Sequence, residues 1–317
     1  MKTFCLLMAA AAVTGQEAQT QSKVFVTKNI SPAGLTAVYE AVGVKATGRV
    51  AVKISTGEAG GGHYLKPELI GALIKKVNGT IVECNTAYGG SRMQTERHRQ
   101  TIKNHGFDKI AKVDILDEEG EIKIPVKDKK HLQYNIVGSH IKNYDFLINL
   151  AHFKGHAMAG FGGVIKNQSI GIASSNGKAY IHTAGKTETT KGMWKKVRDT
   201  SQNDFLESMA ASAQGVAELF GKNIVYINVM NNMSVDCDCD SSPAKPTIAD
   251  YGILASTDPV ALDAACIDIV YAMKAVKGSD PQPLINRINS MNGRHVVDYG
   301  EAIGLGGKSY SIVNIDK

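Results

Sequence analysis

Short apolar runs rich in Val and Ile alternate along most of the chain with amphipathic stretches. The runs at 23–27, 49–55, 80–84, 113–116, 145–150, 224–229, 252–256 and 310–315 read as strands. Between them apolar residues recur at helical spacing over 32–42, 67–77, 95–105, 203–220 and 258–273, with shorter patterns near 283–289 and 297–302. Ser31-Pro32, Lys66-Pro67 and Thr257-Asp258-Pro259 place proline at or near a first helical position, where its missing amide hydrogen costs nothing. This rhythm predicts an α/β fold, a mostly parallel sheet flanked by helices, with the site on loops at strand ends. No internal repeat interrupts it. The polar stretch 174–201, rich in Gly, Lys and Thr, reads as a long excursion over the active face.

Composition narrows the class. The chain has 317 residues, 43% hydrophobic and 21% charged, enough to bury a large core. Its net charge of +6 is spread out, and the basic clusters at 75–76, 127–130 and 195–198 are short. Without a zinc-finger, helix-turn-helix or stacking-aromatic signature, they read as solvated faces, and no nucleic-acid partner is expected. At the N-terminus, Lys2, the apolar run 4–13 and Val13-Thr14-Gly15 read as a signal peptide over 1–15, leaving an α/β domain over 16–317. That run is shorter than the ~20 residues that span a bilayer, so the expectation is a periplasmic or secreted protein without a membrane-spanning anchor.

Four cysteines remain after the leader. Cys84 and Cys266 sit in apolar patterns and read as buried small hydrophobes. Cys237 and Cys239 differ: in an extended stretch, residues two apart share a face, so both thiols meet at one point while Asp236, Asp238 and Asp240 face away. That geometry suits a soft metal or a reactive thiol pair.

Three loops follow strands directly. In Ser55-Thr-Gly57-Glu58-Ala-Gly60-Gly61-Gly62 the glycines, with Glu58, offer backbone amides to an anion at the start of the Pro67 helix. The loop is neither a Walker loop nor Gly-x-Gly-x-x-Gly. In Asn85-Thr-Ala-Tyr88-Gly-Gly-Ser-Arg92 the guanidinium suits a carboxylate or phosphate. The third, Asn149-Leu-Ala-His152-Phe-Lys154-Gly-His156-Ala-Met-Ala-Gly160-Phe-Gly162-Gly163-Val-Ile-Lys166-Asn167, is the densest. His152 and His156 have the spacing of paired metal ligands on a helix, but the glycines disfavour regular helix and suggest a backbone turning closely around a ligand. Lys154 and Lys166 add weight, because an enclosed lysine can lose its proton and become a nucleophile. Asp258 reads as a helix N-cap, and Asp263 reads as the site residue of the two.

These three segments, with Asp236-Cys-Asp-Cys239 and Gly252-Ile-Leu-Ala-Ser-Thr-Asp-Pro-Val-Ala-Leu-Asp263, resemble the DUF362 family over essentially the whole mature chain. Proteins of that family are often labelled iron–sulfur-centre proteins, although the family name carries no established reaction. Many relatives carry a ferredoxin-like cysteine insert where this chain has the cysteine-free stretch 183–204, so no four-cysteine cluster is expected here. A local pattern, His156-x-x-x-Gly160-x-Gly-Gly163-x-x-Lys166 followed by His182, is also similar to nickel-pincer lactate racemases. That resemblance implies Lys166 as cofactor tether, His182 as metal ligand and His156 as acid/base.

The expected site therefore has His156 and Lys166 as catalytic residues. Gly57, Glu58, Gly61, Arg92, Lys154, Gly162, Gly163 and Asn167 line a cofactor, and His152, His182, Cys237 and Cys239 bind a metal such as Zn, Fe or Ni. The expected function is a redox or isomerising enzyme on a small anionic molecule. The alternatives are a non-catalytic anion-binding protein and a protein that uses Cys237 and Cys239 as a redox pair.

Overall fold

The computed structural model describes residues 21–316, so the expected signal peptide lies outside the described residues. The chain runs β1 (Ser22–Thr27), α1 (Pro32–Ala41), β2 (Val50–Lys53), α2 (Pro67–Lys76), β3 (Thr80–Glu83), α3 (Thr95–Asn104) and β4 (Val113–Ile115). A hairpin, β5 (Glu121–Pro125) and β6 (Tyr134–Gly138), leads to the central β7 (Phe146–His152) and a second small hairpin, β8 (Lys154–His156) and β9 (Gly160–Gly162). Helices α4 (Val164–Ile172), α5 (Ser175–His182), α6 (Met193–Arg198) and α7 (Gln202–Phe220) follow. The chain ends with β10 (Ile224–Met230), β11 (Gly252–Ser256), α8 (Pro259–Ala272), α9 (Gln282–Ser290), α10 (His295–Ala302) and β12 (Tyr310–Asn314).

Eight strands form one sheet in the order β12-β1-β11-β10-β7-β2-β3-β4. From β10 to β4 every pairing is parallel, whereas β11 runs against both β1 and β10. All seven residues of β7 are buried, as expected for a parallel strand covered on both faces. Successive residues feed opposite layers. Val52, Ile148 and Ile227 pack under α1, α2 and α3, while Ala51, Leu147 and Tyr226 face the layer containing α4, α7 and α8. Each such buried Val, Leu or Ile side chain contributes about 1.5–3 kcal/mol.

The order of strands fixes where a ligand can sit. After β2 the chain continues to β3 and β4 on one side, while β7, on the other side of β2, continues to β10. Beyond the carboxyl ends of β2 and β7 the connections part, leaving the crevice in which open parallel sheets bind ligands. Lys53 pairs with Asn149 there, and His152 ends β7 opposite Val229.

All eight expected strands appear in this sheet. The stretch 174–201 departs from its expected form as a continuous excursion. Ser174 caps α5 by accepting from the Gly177 amide at 3.0 Å, and α5 carries buried Lys178 and His182 into the core. Only the part beyond it, with α6, runs over the surface. No described helix is long and apolar enough to cross a membrane.

Candidate active site

Two connected spaces lie beyond the carboxyl ends of β2, β3 and β7. The inner one is a cavity of about 80 Å³, and the outer is a cleft of about 690 Å³. Thr86, Tyr88, Cys237 and Cys239 line both, and so form the wall between them.

The inner cavity is dominated by positive charge. Lys53, Lys154, Lys166, Lys178 and Arg92 line it, against only two carboxylates, Glu83 and Asp238. Three of the lysine amines are fixed: Lys53 donates to Ile54 O at 2.5 Å and Asn167 Oδ1 at 3.1 Å, Lys154 pairs with Asp238 at 2.8 Å, and Lys178 donates to Ala173 O at 2.5 Å. Lys166 differs, since its amine has no hydrogen-bond or ion-pair partner among the described residues, and only its backbone carbonyl is engaged. Burial, reinforced by the charges of Lys154, Lys53 and Lys178, pushes the Lys166 amine down to about 7. Burial likewise brings Lys53 down to about 8, with Glu83 opposing.

Both carboxylates are held ionised. Burial works against Glu83, but Arg92 at 2.7 Å, His98 at 3.1 Å and Lys53 hold it well below the usual carboxylate range. Thr56 adds two hydrogen bonds to it, from its amide at 3.2 Å and its hydroxyl at 2.5 Å. Arg92 is thereby committed to carboxylates on both sides, to Glu83 by hydrogen bond and to Glu58 by an ion pair at 3.6 Å from Nε, an atom that is buried without a hydrogen-bond partner. Asp238 is likewise held low, against its burial, by His152 and Lys154.

Asp238 corrects the expected geometry of the cysteine pair. The segment is a turn closed by the Asp240 amide on Cys237 O at 3.0 Å, and it points Asp238 inward to His152 and Lys154. Cys237 and Cys239 are joined in a disulfide. The two nitrogen partners of the Asp238 carboxylate, on His152 and Lys154, arrive from β7 and β8, far away in sequence, so local extended periodicity did not anticipate the contact.

The histidines divide by tautomer. His152 faces Asp238 through Nδ1 at 3.0 Å and Asn231 O through Nε2 at 2.6 Å, so both ring nitrogens are turned to protein oxygens and neither is presented to a metal. His152 ends β7 and His156 ends β8, so the segment is not helical, as its glycines implied, and part of the expected loop is strand. His156 Nδ1 accepts from the Met158 and Ala159 amides at 3.1 and 3.0 Å, which leaves the ring proton on Nε2. Burial, with the charges of Lys166, His182 and Lys154, holds it neutral well below its ordinary range. It is therefore a neutral hydrogen-bond donor toward the outer cleft, in place of the acid/base expected of it. His182 donates from Nδ1 to Lys178 O at 2.7 Å and meets the Tyr88 hydroxyl through Nε2 at 3.4 Å. Burial lowers it to about 3.

The glycines act through packing and Asn167 through hydrogen bonds. Gly57 has φ +79° with Tyr64 against it, and Gly61 lies on Asp240 O; neither lines the cavity or the cleft. Their loop supports the cysteine turn, with the Glu58 amide donating to Asp238 O at 2.7 Å, instead of cradling an anion. Glu58 itself lines the outer cleft and accepts from the Ser91 amide at 2.7 Å. Gly162 and Gly163 line the inner cavity. A Cβ on Gly163 would fall 2.3 Å from Asp263 Oδ1, the carboxylate that accepts the Val164 and Ile165 amides at the start of α4. Asp263 is therefore a helix cap supplied from α8 and not a ligand-facing group, and burial raises it to about 6. Asn167 ties β2 to β7, donating to Lys53 O at 3.1 Å and Asn149 Oδ1 at 2.7 Å.

His156, Cys237 and Cys239 offer donor atoms within 4.8 Å of one another and form a candidate metal group; His152 and His182 are outside it. As the residues stand, the group does not fit a metal. A disulfide supplies no thiolate, and metal on His156 Nε2 would require the proton to move to Nδ1, against two amide donors. Lys53, Lys178, Glu83, His98 and Asp238 were absent from the expected site. For Lys53 and Glu83 a signal was available, because each is a charge at the carboxyl end of an otherwise apolar parallel strand.

A family profile described as a domain of unknown function, DUF362, matches residues 50–268. Comparison with curated proteins finds no match. Among solved structures, the chain is similar to a Thermotoga maritima protein at 11% identity and a TM-score of 0.40, covering 86% of this chain. It spans 58% of that protein's length. It is also similar to the lactate racemase apoprotein from Thermoanaerobacterium thermosaccharolyticum at 13% identity and a TM-score of 0.39, with 93% of this chain and 83% of that one covered.

Proposed function

Given that this chain belongs to the DUF362 family, a domain of unknown function, we propose from its own site that it binds a small anionic molecule in the inner cavity and acts on it through Lys166. One observation carries this reading: five cationic side chains line a cavity whose wall holds only two carboxylates, and both carboxylates are already paired with protein groups. Buried charge without a counterion is costly, and a bound anion removes that cost. The size of the space limits the ligand. A single water needs about 10–15 Å³ on this scale, so 80 Å³ holds roughly half a dozen non-hydrogen atoms.

The reading favours an enzyme over a passive binding protein because Lys166 is unpartnered and close to neutrality. We infer a place outside the cytoplasm, from the expected signal peptide over 1–15 and from the closed Cys237–Cys239 disulfide, which such compartments preserve. That disulfide favours a second reading as a redox pair, in which reduction by a dithiol opens the wall between cavity and cleft.

Thermal denaturation with a panel of small carboxylates, phosphate and sulfate tests the main reading. At least one small anion raises the midpoint of the wild type, and Lys166→Met and Lys154→Met reduce that rise. If no anion raises it, or if both variants respond like the wild type, the reading fails.

A further inference from the structure

We propose that the ligand of the inner cavity is a small 2-oxo acid, and that Lys166 forms an imine with its carbonyl carbon. This rests on the anion-binding reading above and adds the substrate class and the covalent step.

The four lysines of the cavity are not equivalent. Lys53, Lys154 and Lys178 are held by Ile54 O, Asp238 and Ala173 O, so they supply positive charge from fixed positions. Lys166 has no such partner among the described residues, and its amine is free to approach a ligand. A site with fixed cations beside one free amine matches a molecule with a carboxylate beside an electrophilic carbon. The carboxylate is neutralised by the fixed charges and the carbonyl is presented to the amine. A plain carboxylate or a phosphate would use the cations and leave the amine without a function. The size agrees: a three-carbon oxo acid has about as many non-hydrogen atoms as the cavity admits.

The surroundings favour the neutral amine. Like-charged neighbours and burial disfavour the ammonium form, the arrangement by which lysines become nucleophiles for carbonyl substrates. Tyr88 lines the same cavity, and its hydroxyl is positioned by His182, whose own Nδ1–H is fixed on Lys178 O. Because His182 Nε2 carries no proton, the Tyr88 hydroxyl spends its one hydrogen on His182 and turns its oxygen lone pairs to the cavity, where it can accept from the ligand or the amine.

The step balances without an added oxidant or reductant. The Lys166 nitrogen forms a bond to the carbonyl carbon, the carbon–oxygen bond breaks, and the oxygen leaves as water with the two hydrogens of the amine. The imine takes one proton from solvent to become an iminium ion, an electron sink for the adjacent carbon.

Borohydride trapping tests this directly. Purified wild-type protein is incubated with pyruvate at neutral pH, reduced with borohydride, digested and mapped by mass spectrometry, while calorimetry on the same sample measures pyruvate binding. The expected result is a reduced pyruvyl adduct on Lys166 that is at least ~10-fold more abundant than on any other lysine, absent without borohydride and absent in a folded Lys166→Met variant. Binding of pyruvate without an adduct on Lys166, or with the adduct mainly on Lys154, overturns the imine and leaves the anion site standing. Absence of both binding and adduct, with no other small anion bound, sinks the site reading and the imine together.

Discussion

At the scale of single residues, the partner of each buried polar atom decides its role. His156 lies in the sequence motif that suggested proton transfer, yet its Nδ1 accepts two backbone amides and so its proton is confined to Nε2. We expect no imidazolium from His156 between pH 5 and pH 8. Nitrogen-15 NMR checks this by the protonated Nε2 and bare Nδ1 shifts, which should stay constant across that range. Asp263 is similar in that its chemistry is structural: it accepts two α4 amides and the Asn228 side chain. Asp263→Ala leaves these buried donors unpaired and should cost about 2–3 kcal/mol in urea denaturation, with the fold retained. Motif position alone made His156 look like an acid/base and Asp263 like a site residue. Neither the amides of Met158 and Ala159 nor the contact between α8 and the start of α4 can be read from residue type.

At the scale of elements, the sheet was legible and part of its cover was not. Strands with continuous Val and Ile runs, such as Ile224–Met230, declare themselves because burial on both faces leaves no polar alternation. Helices α4 and α5 were hidden by Ser, Asn and Gly in Val164–Ile172 and Ser175–His182, where tertiary packing outweighs weak helix propensity. The loss mattered, because α5 brings Lys178 and His182 to the site. The small hairpin β8–β9 carries a further constraint: a Cβ on Gly155 would lie 2.2 Å from Val235 O, on the segment that leads to the cysteine turn. Gly155→Ala should therefore destabilise by about 2 kcal/mol or more, whereas Gly62→Ala, with nothing within 4 Å, should stay within about 0.5 kcal/mol. Equilibrium unfolding of the two variants beside the wild type checks the contrast.

At the scale of the whole molecule, the parting of connections between β2 and β7 gathers charges that are distant in sequence. Asp238 meets Lys154 across 84 residues, and Lys53 meets Asn167 across 114. A strand-end site could be expected from the βα rhythm, and Lys154, Lys166, Gly162, Gly163 and Asn167 were identified by their proximity to β7. The composition of the cavity could not be, because it depends on which strands become neighbours. Its excess of lysine makes stability depend on pH. For Lys166 at about 7 and Lys53 at about 8, the folded chain releases these protons before the unfolded chain does, near 10.5. The unfolded state then binds more protons, and stability of the ligand-free protein should rise as pH increases from about 7 to about 9.5. Urea midpoints over that range check it, and Lys166→Met should flatten the rise.

The central claim is that the lysine-lined cavity holds a small anion. The most direct test is a crystal structure of the protein grown with millimolar pyruvate. The account predicts density for a three-carbon acid in the inner cavity, among Lys53, Lys154 and Lys178 and within bonding distance of Lys166. An inner cavity containing only water at a pyruvate concentration that saturates binding in solution, or pyruvate confined to the outer cleft, would contradict it.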